Sequence, residues 1–157
     1  MMSSDEPLAA TGLVDAALLA RGVCRALGQL GFATLTEFAL ANGRRADVVA
    51  LGRGGEIAIV EVKSSPADFR ADRKWPEYRE FCDRLYFAVA AEFPRVLLPE
   101  DCGLVIADPF GAQILRESPP RPLSPARRRA VTLRFALTGA QRLRRQLDPG
   151  FGEDGLL

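Results

Sequence analysis

Two acids and a lysine stand in otherwise apolar surroundings: Asp47 within Ala46-Asp47-Val48-Val49, and Glu61 with Lys63 near the end of EIAIVEVKS, residues 56–64. Period-two alternation puts Ile57, Ile59, Glu61 and Lys63 on one face of a strand and Ala58, Val60 and Val62 on the other. Ionised groups in such company are costly unless they are paired or engaged by a ligand. If the turn before this strand is the three-residue loop Arg53-Gly54-Gly55, Gly52 faces Glu56 and, counting back along both strands, Asp47 faces Glu61. Their Cβ atoms would then lie about 5 Å apart. A two-residue turn would shift the pairing by one and send Asp47 to the opposite face; a glycine beside the loop end favours the bulged three-residue form. Opposed carboxylates repel, so the pair needs a shared proton or a bound cation. Asp47, Glu61, the backbone carbonyl of Val62 and waters suit Mg²⁺ or Mn²⁺, which take oxygen ligands in octahedral geometry. The Lys63 ammonium would hold the attacking water and offset charge building on a phosphate. The plainer reading is an ordinary solvated strand face with a cross-strand ion pair.

The absence of histidine removes Ser-His-Asp and Cys-His triads, histidine-ligated zinc and histidine bases together. Of 21 basic residues only Lys63 and Lys74 are lysines. Compositional bias accounts for that in one reading; in the other, lysine is kept where a compact ammonium is needed. Cys24, Cys82 and Cys102 are odd in number and widely spaced, unlike a disulfide framework or a zinc site. At 157 residues and 48% hydrophobic content the chain suits one ordinary domain. It has no apolar run of membrane-helix length, and nothing at its start resembles a secretory signal, so the expected location is the cytoplasm.

Residues 12–148 read as the domain, with flexible tails expected at 1–11 and 149–157. Apolar positions from Leu13 to Leu30 recur at helical spacing; FATLTEFAL (32–40), ADVVALG (46–52) and EIAIVEVKS then read as an antiparallel three-strand meander. Ser65-Pro66-Ala67-Asp68 has the pattern of a helix start, with helical structure expected to Asp83 and a break at Pro76. RLYFAVAAE (84–92) reads as a buried strand, GLVIADPFGAQIL (103–115) as a strand or hairpin, and 126–147 as a last helix. That order gives an α/β domain with a mixed central sheet flanked by helices.

An acid followed by Glu-Val-Lys at the end of a second strand, within helix-strand-strand-strand-helix-strand, resembles the PD-(D/E)XK nuclease superfamily. More narrowly, GRRADVVAL from Gly43, IVEVKSSPADFRADRKWPEYREFCDRLYFAV from Ile59 and SPARRRA from Ser124 resemble the MmcB family of bacterial DNA repair proteins, over roughly residues 32–137. The resemblance implies a restriction-endonuclease-like αβββαβ core, metal held by Asp47 and Glu61, and water assisted by Lys63. Ala46 stands where the superfamily motif has proline. The chemistry needs only the acid that follows.

Glu37 on the first strand would reach the metal or a nearby water if the Asn42-Gly43 turn has matching parity; otherwise it is a surface acid on an edge strand. Asp68 and Asp72 share a helical face, with Lys74, Trp75 and Tyr78 close behind. These either cover the site mouth, contacting nucleic acid or steadying Lys63, or are a capping acid and a core tryptophan. Arg44 and Arg45 beside a turn, and Arg127, Arg128 and Arg129 in an arginine-rich C-terminal segment, are candidate phosphate contacts despite a net charge of only +1. The expectations are a Mg²⁺- or Mn²⁺-dependent deoxyribonuclease in repair or a noncatalytic DNA-binding adaptor keeping the same fold. RNA cleavage stays open, partners other than DNA would be repair proteins, and a homodimer is one option because many nucleases that cut both strands are dimers.

Overall fold

The structure, a computed structural model, describes residues 15–150. The tails expected at 1–11 and over most of 149–157 lie outside the described residues. α1 (Ala16–Gln29) begins at Asp15, whose side chain accepts from the Ala17 amide at 3.1 Å. Its Leu19, Val23 and Leu27 are buried at three- and four-residue spacing. Gly22 is required, because a Cβ there would collide with the carbonyl oxygen of Asp108. β1 (Ala33–Ala39), β2 (Arg45–Leu51) and β3 (Ile57–Val62) form the expected antiparallel meander.

Helical structure after β3 is shorter and tighter than the sequence implies. α2 covers only Pro66–Ala71, Asp72 leaves helical geometry with ψ at 93°, and the chain resumes as a 3₁₀ segment at Trp75–Phe81. Pro76 explains why no continuous helix runs through, since it has no N–H to give to the Asp72 carbonyl four residues back and its ring would clash there. β4 (Arg84–Val89) pairs parallel with β3, and β5 (Gly103–Ala107) parallel with β4. The segment 103–115 resolves as the hairpin: β6 (Ala112–Arg116) returns antiparallel to β5. α3 (Pro125–Leu147) closes the described chain.

The result is a mixed α/β fold with a six-stranded sheet in sequence order, β1 to β6. β3 is central and buried at every position, which is why it reads as a near-continuous apolar run. Its Ala58 and Val60 pack under α1 with Leu19, Val23 and Val48; Ile57 and Ile59 join Phe38, Phe81, Phe87 and Val131 of α3 on the other face. Among the described residues no helix is long and apolar enough to cross a membrane.

Asp83 ties this second layer together. Its carboxylate accepts from the amides of Ile57 at 2.8 Å and Leu123 at 2.9 Å and forms a two-pronged pair with Arg128 at 2.6 and 2.7 Å. The same guanidinium donates to the Gly55 carbonyl at 2.7 Å. One buried acid therefore joins β3, the proline-rich link and α3.

Candidate active site

The loop between β2 and β3 is the three-residue form. Gly52 N–H donates to Glu56 O at 2.8 Å and Gly55 N–H to Gly52 O at 3.0 Å. Gly55 has φ +89°, a left-handed conformation open to glycine at little cost. Leu51 consequently faces Ile57 and Val48 faces Val60, so the next opposed pair in this register is Asp47 and Glu61.

Beyond Val48 and Val60 the backbone ladder gives way to carboxylates. Asp47 N–H donates to Glu61 Oε1 at 3.1 Å, and Val62 N–H donates to Asp47 Oδ2 at 2.8 Å. Each acid thus takes an amide of the other strand, and the two side chains stand between the strands at the end of their pairing. A residue's N–H and C=O point to one side of a strand, so the Val62 carbonyl faces this same opening.

The neighbouring strand is distorted at the same level. Thr36 faces Val48 and Phe38 faces Ala46, leaving Glu37 opposite Asp47, and Glu37 has φ +49°. Val49 and Ala46 both lie in the α3-side core although Val48 between them lies in the α1-side core, so alternation skips a beat at Asp47. Such an irregularity re-aims a side chain. It is held from outside by Arg142, which donates to the Glu37 carbonyl at 2.7 Å and to that of Thr36. The Glu37 carboxylate itself turns outward to Arg45 Nε at 2.7 Å and stays 59% exposed. Glu37→Gly, which removes the left-handed strain, is expected to stabilise the fold by up to about 1 kcal/mol in urea titrations.

Burial dominates the electrostatics of the acid pair. Glu61, only 3% exposed, has its pKa pushed up to about 9, first by burial and then by the Asp47 charge. Burial also pushes Asp47 up. The metal-free pair therefore shares a proton at neutral pH. An unfolded glutamate releases its proton near pH 4.3, so between about pH 5 and 9 the folded chain binds more protons than the unfolded one. Stability of the chelator-treated protein should fall as pH rises through this window, by about 2 kcal/mol between pH 5.5 and 8.5. Denaturant midpoints at the two pH values check it.

Lys63 leaves the end of β3 almost fully buried, its amide donating to Ala88 O at 3.0 Å and its Nζ to Asp72 Oδ2 at 2.7 Å. Burial raises Asp72, but the hydrogen bond and charge of Lys63 outweigh it and hold the carboxyl below its usual range. Asp72 is available because α2 ends there. Asp68 instead does capping work: its amide donates to Ser65 Oγ at 3.1 Å and its carboxylate accepts from the Ser64 amide at 3.2 Å. Lys74 is exposed, and its amide donates to Asp72 Oδ1 at 3.1 Å. Asp47, Glu61, Lys63 and Asp72 are thus brought together, whereas Asp68 and Lys74 frame the α2 ends.

Most of the expected nucleic-acid contacts are occupied within the fold. Tyr78 is buried, its hydroxyl donating to Arg45 O at 3.0 Å, and Trp75 packs edge-on against Phe87 with ring centroids 5.2 Å apart. Tyr78 is a core residue and half-buried Trp75 packs against the core, because the 3₁₀ segment turns both onto the sheet. Arg128 serves Asp83, Arg127 lies over the Phe81 ring at 4.7 Å, and Arg44 pairs with Glu77. Arg45 and Arg129 remain exposed. Spacing alone gave no signal for Asp83 as the partner of Arg128.

The donor set of the site is all oxygen: two carboxylates and a strand-end carbonyl. Among the described residues no group of three or more acids, cysteines or histidines gathers to hold a metal. An ion here would complete its shell with water, which suits Mg²⁺.

The family model described as DNA repair protein MmcB-like matches residues 4–150. The chain belongs to the MmcB-like family. Membership implies a role in DNA repair and covers the whole described domain, the acid pair and Lys63 included. Among solved structures, a protein of unknown function from Silicibacter pomeroyi is 50% identical, with a TM-score of 0.82, over 84% of this chain and 90% of that one. No curated protein matches.

Proposed function

We infer that the chain is a metal-dependent phosphodiesterase acting on DNA, with the restriction-endonuclease-like arrangement that its motif resembles. The observation that carries this reading is the replacement of ladder bonds by two opposed carboxylates, buried Glu61 and half-buried Asp47, beside a buried ammonium. Protein interiors tolerate such an arrangement only at a cost, and a like-charged pair that must share a proton accepts a cation in its place. Asp47, Glu61 and the Val62 carbonyl would hold Mg²⁺ or Mn²⁺, which when bound supplies Lewis acidity toward a phosphate oxygen. Lys63 is a positive donor at the same opening, placed to orient a water and offset charge on the phosphate. Asp72 fixes the direction of that ammonium, and Asp72→Asn should lower turnover about tenfold with little change in DNA affinity, as single-turnover and binding measurements would read.

Of the arginines expected to meet phosphate, Arg45 remains exposed on the strand that carries Asp47. The test is cleavage of a panel of single-stranded, duplex, flap and junction DNA in Mg²⁺ and in Mn²⁺, with chelator as control. Metal-stimulated cutting supports the enzyme. A folded chain that binds DNA but neither metal nor cuts any member would mark a noncatalytic adaptor within DNA repair.

A further inference from the structure

α3 turns only a narrow apolar strip to the core. Val131 is its buried residue and Phe135 packs half-buried against Phe38, while arginines make further inner contacts: Arg127 on Phe81, Arg128 on Asp83, and Arg142 on the carbonyls of Thr36 and Glu37. Its leucines point away, with Leu133, Leu137, Leu143 and Leu147 between 53% and 67% exposed. Leu133, Ala136, Ala140, Leu143 and Leu147 follow one another at alternating three- and four-residue steps, the seam a second helix packs against. At 100° per residue that seam lies on the side roughly opposite Val131.

Charge narrows what fits there. Residues 125–147 contain seven arginines and no acid. Arg129 at the start of the seam and Arg144 beside it are both exposed. A second copy would bring like charges together, at a cost of several kcal/mol for such juxtapositions in general. DNA would meet the arginines and leave the leucines in water. A lipid surface favours a face of bulky and aromatic side chains, whereas Ala136 and Ala140 at the middle of the seam let another helix approach closely. We propose that the outer face of α3 docks an acidic amphipathic helix of a partner protein, apolar residues on the leucine seam and carboxylates against Arg129 and Arg144. This holds whether or not the site on the sheet cleaves DNA.

The probe is a labelled three-heptad peptide with leucine at a and d and glutamate at e and g, compared by fluorescence anisotropy with one carrying lysine at e and g. The glutamate peptide is expected to bind the full chain and the lysine peptide to bind at least about tenfold more weakly, with affinity for the former falling as salt rises. Leu133→Glu and Leu147→Glu should each weaken binding about tenfold at unchanged melting temperature, and Arg144→Glu should narrow the preference between the peptides. Equal binding of both peptides, or binding of neither, overturns the proposal. So does a dimer in sedimentation that Leu133→Glu dissolves, which would make the occupant a second copy. Flotation with anionic vesicles that Leu133→Glu abolishes would do the same in favour of a lipid surface, and tighter peptide binding on removal of residues 149–157 would assign the seam to the chain's own end.

Discussion

Asp47→Asn is expected to lower metal-stimulated DNA cleavage at least about 100-fold while leaving the melting temperature unchanged or raised. Two effects of the same substitution run in opposite directions. The asparagine oxygen can still accept from Val62 N–H, and its amide can donate to Glu61, so the strand-end bonds survive. The repulsion between opposed carboxylates is gone, which favours the fold. What is lost is half of the charge that would hold a divalent ion, and removing one such electrostatic contribution costs about 10²–10³ in turnover. Lys63→Met should give a comparable loss of activity, with some destabilisation because Asp72 loses its partner. Lys63→Arg should not restore it: Lys63 is only 5% exposed, and a guanidinium is larger and planar. Initial rates on the best substrate of the panel, read beside thermal melts, check all three. Undiminished cleavage by Asp47→Asn would sink the assignment of the site.

Asp83→Asn has the largest expected effect on stability, a loss of about 3 kcal/mol. Both carboxylate oxygens of Asp83 are used twice, by backbone amides of Ile57 and Leu123 and by the two prongs of Arg128. An asparagine supplies one acceptor and turns an NH₂ toward donors, so one buried amide and one prong of the guanidinium lose their acceptor. The pair is more than a surface ion pair, because Asp83's side chain is 8% exposed and Arg128's 32%. Burial pushes Asp83 up, but its bonds to Arg128, Ile57 and Leu123 outweigh that and hold the carboxyl below its usual range. A depressed folded pKa means this contribution is present above about pH 3.9 and lost as pH falls through the folded value. The wild type should therefore lose part of its advantage over Asp83→Asn below that pH. Urea denaturation at pH 7 and pH 3 measures both; equal stability of the two proteins at pH 7 would show that Asp83 does not anchor α3.

The sequence carried the local chemistry well. Alternation in residues 56–64 assigned Glu61 and Lys63 to one face, and glycines around Arg53 implied the loop that brings Asp47 opposite Glu61; both depend on backbone rules within a few residues. Reading failed where a side chain's neighbour is remote. Tyr78 and Trp75 have the composition of nucleic-acid contacts, yet the 3₁₀ segment turns them onto Phe87 and the Arg45 carbonyl. Arg127 and Arg128 read as candidate phosphate contacts, and only the packing of α3 on β1 and the 3₁₀ segment reveals them as internal partners of Phe81 and Asp83.

Sequence alone thus put Glu61 and Lys63 on one face through strand period and favoured, through the glycines of the turn, the register that brings Asp47 opposite Glu61; the three-residue loop of the structure has that register. Tertiary structure decided what the group rests on. The left-handed Glu37 and the skipped beat at Asp47 are held by a distant element, Arg142 of α3, and the early end of α2 matters only because the fold brings Asp72 to Lys63. Spacing along one chain does not encode those contacts; packing of layers around a common core does.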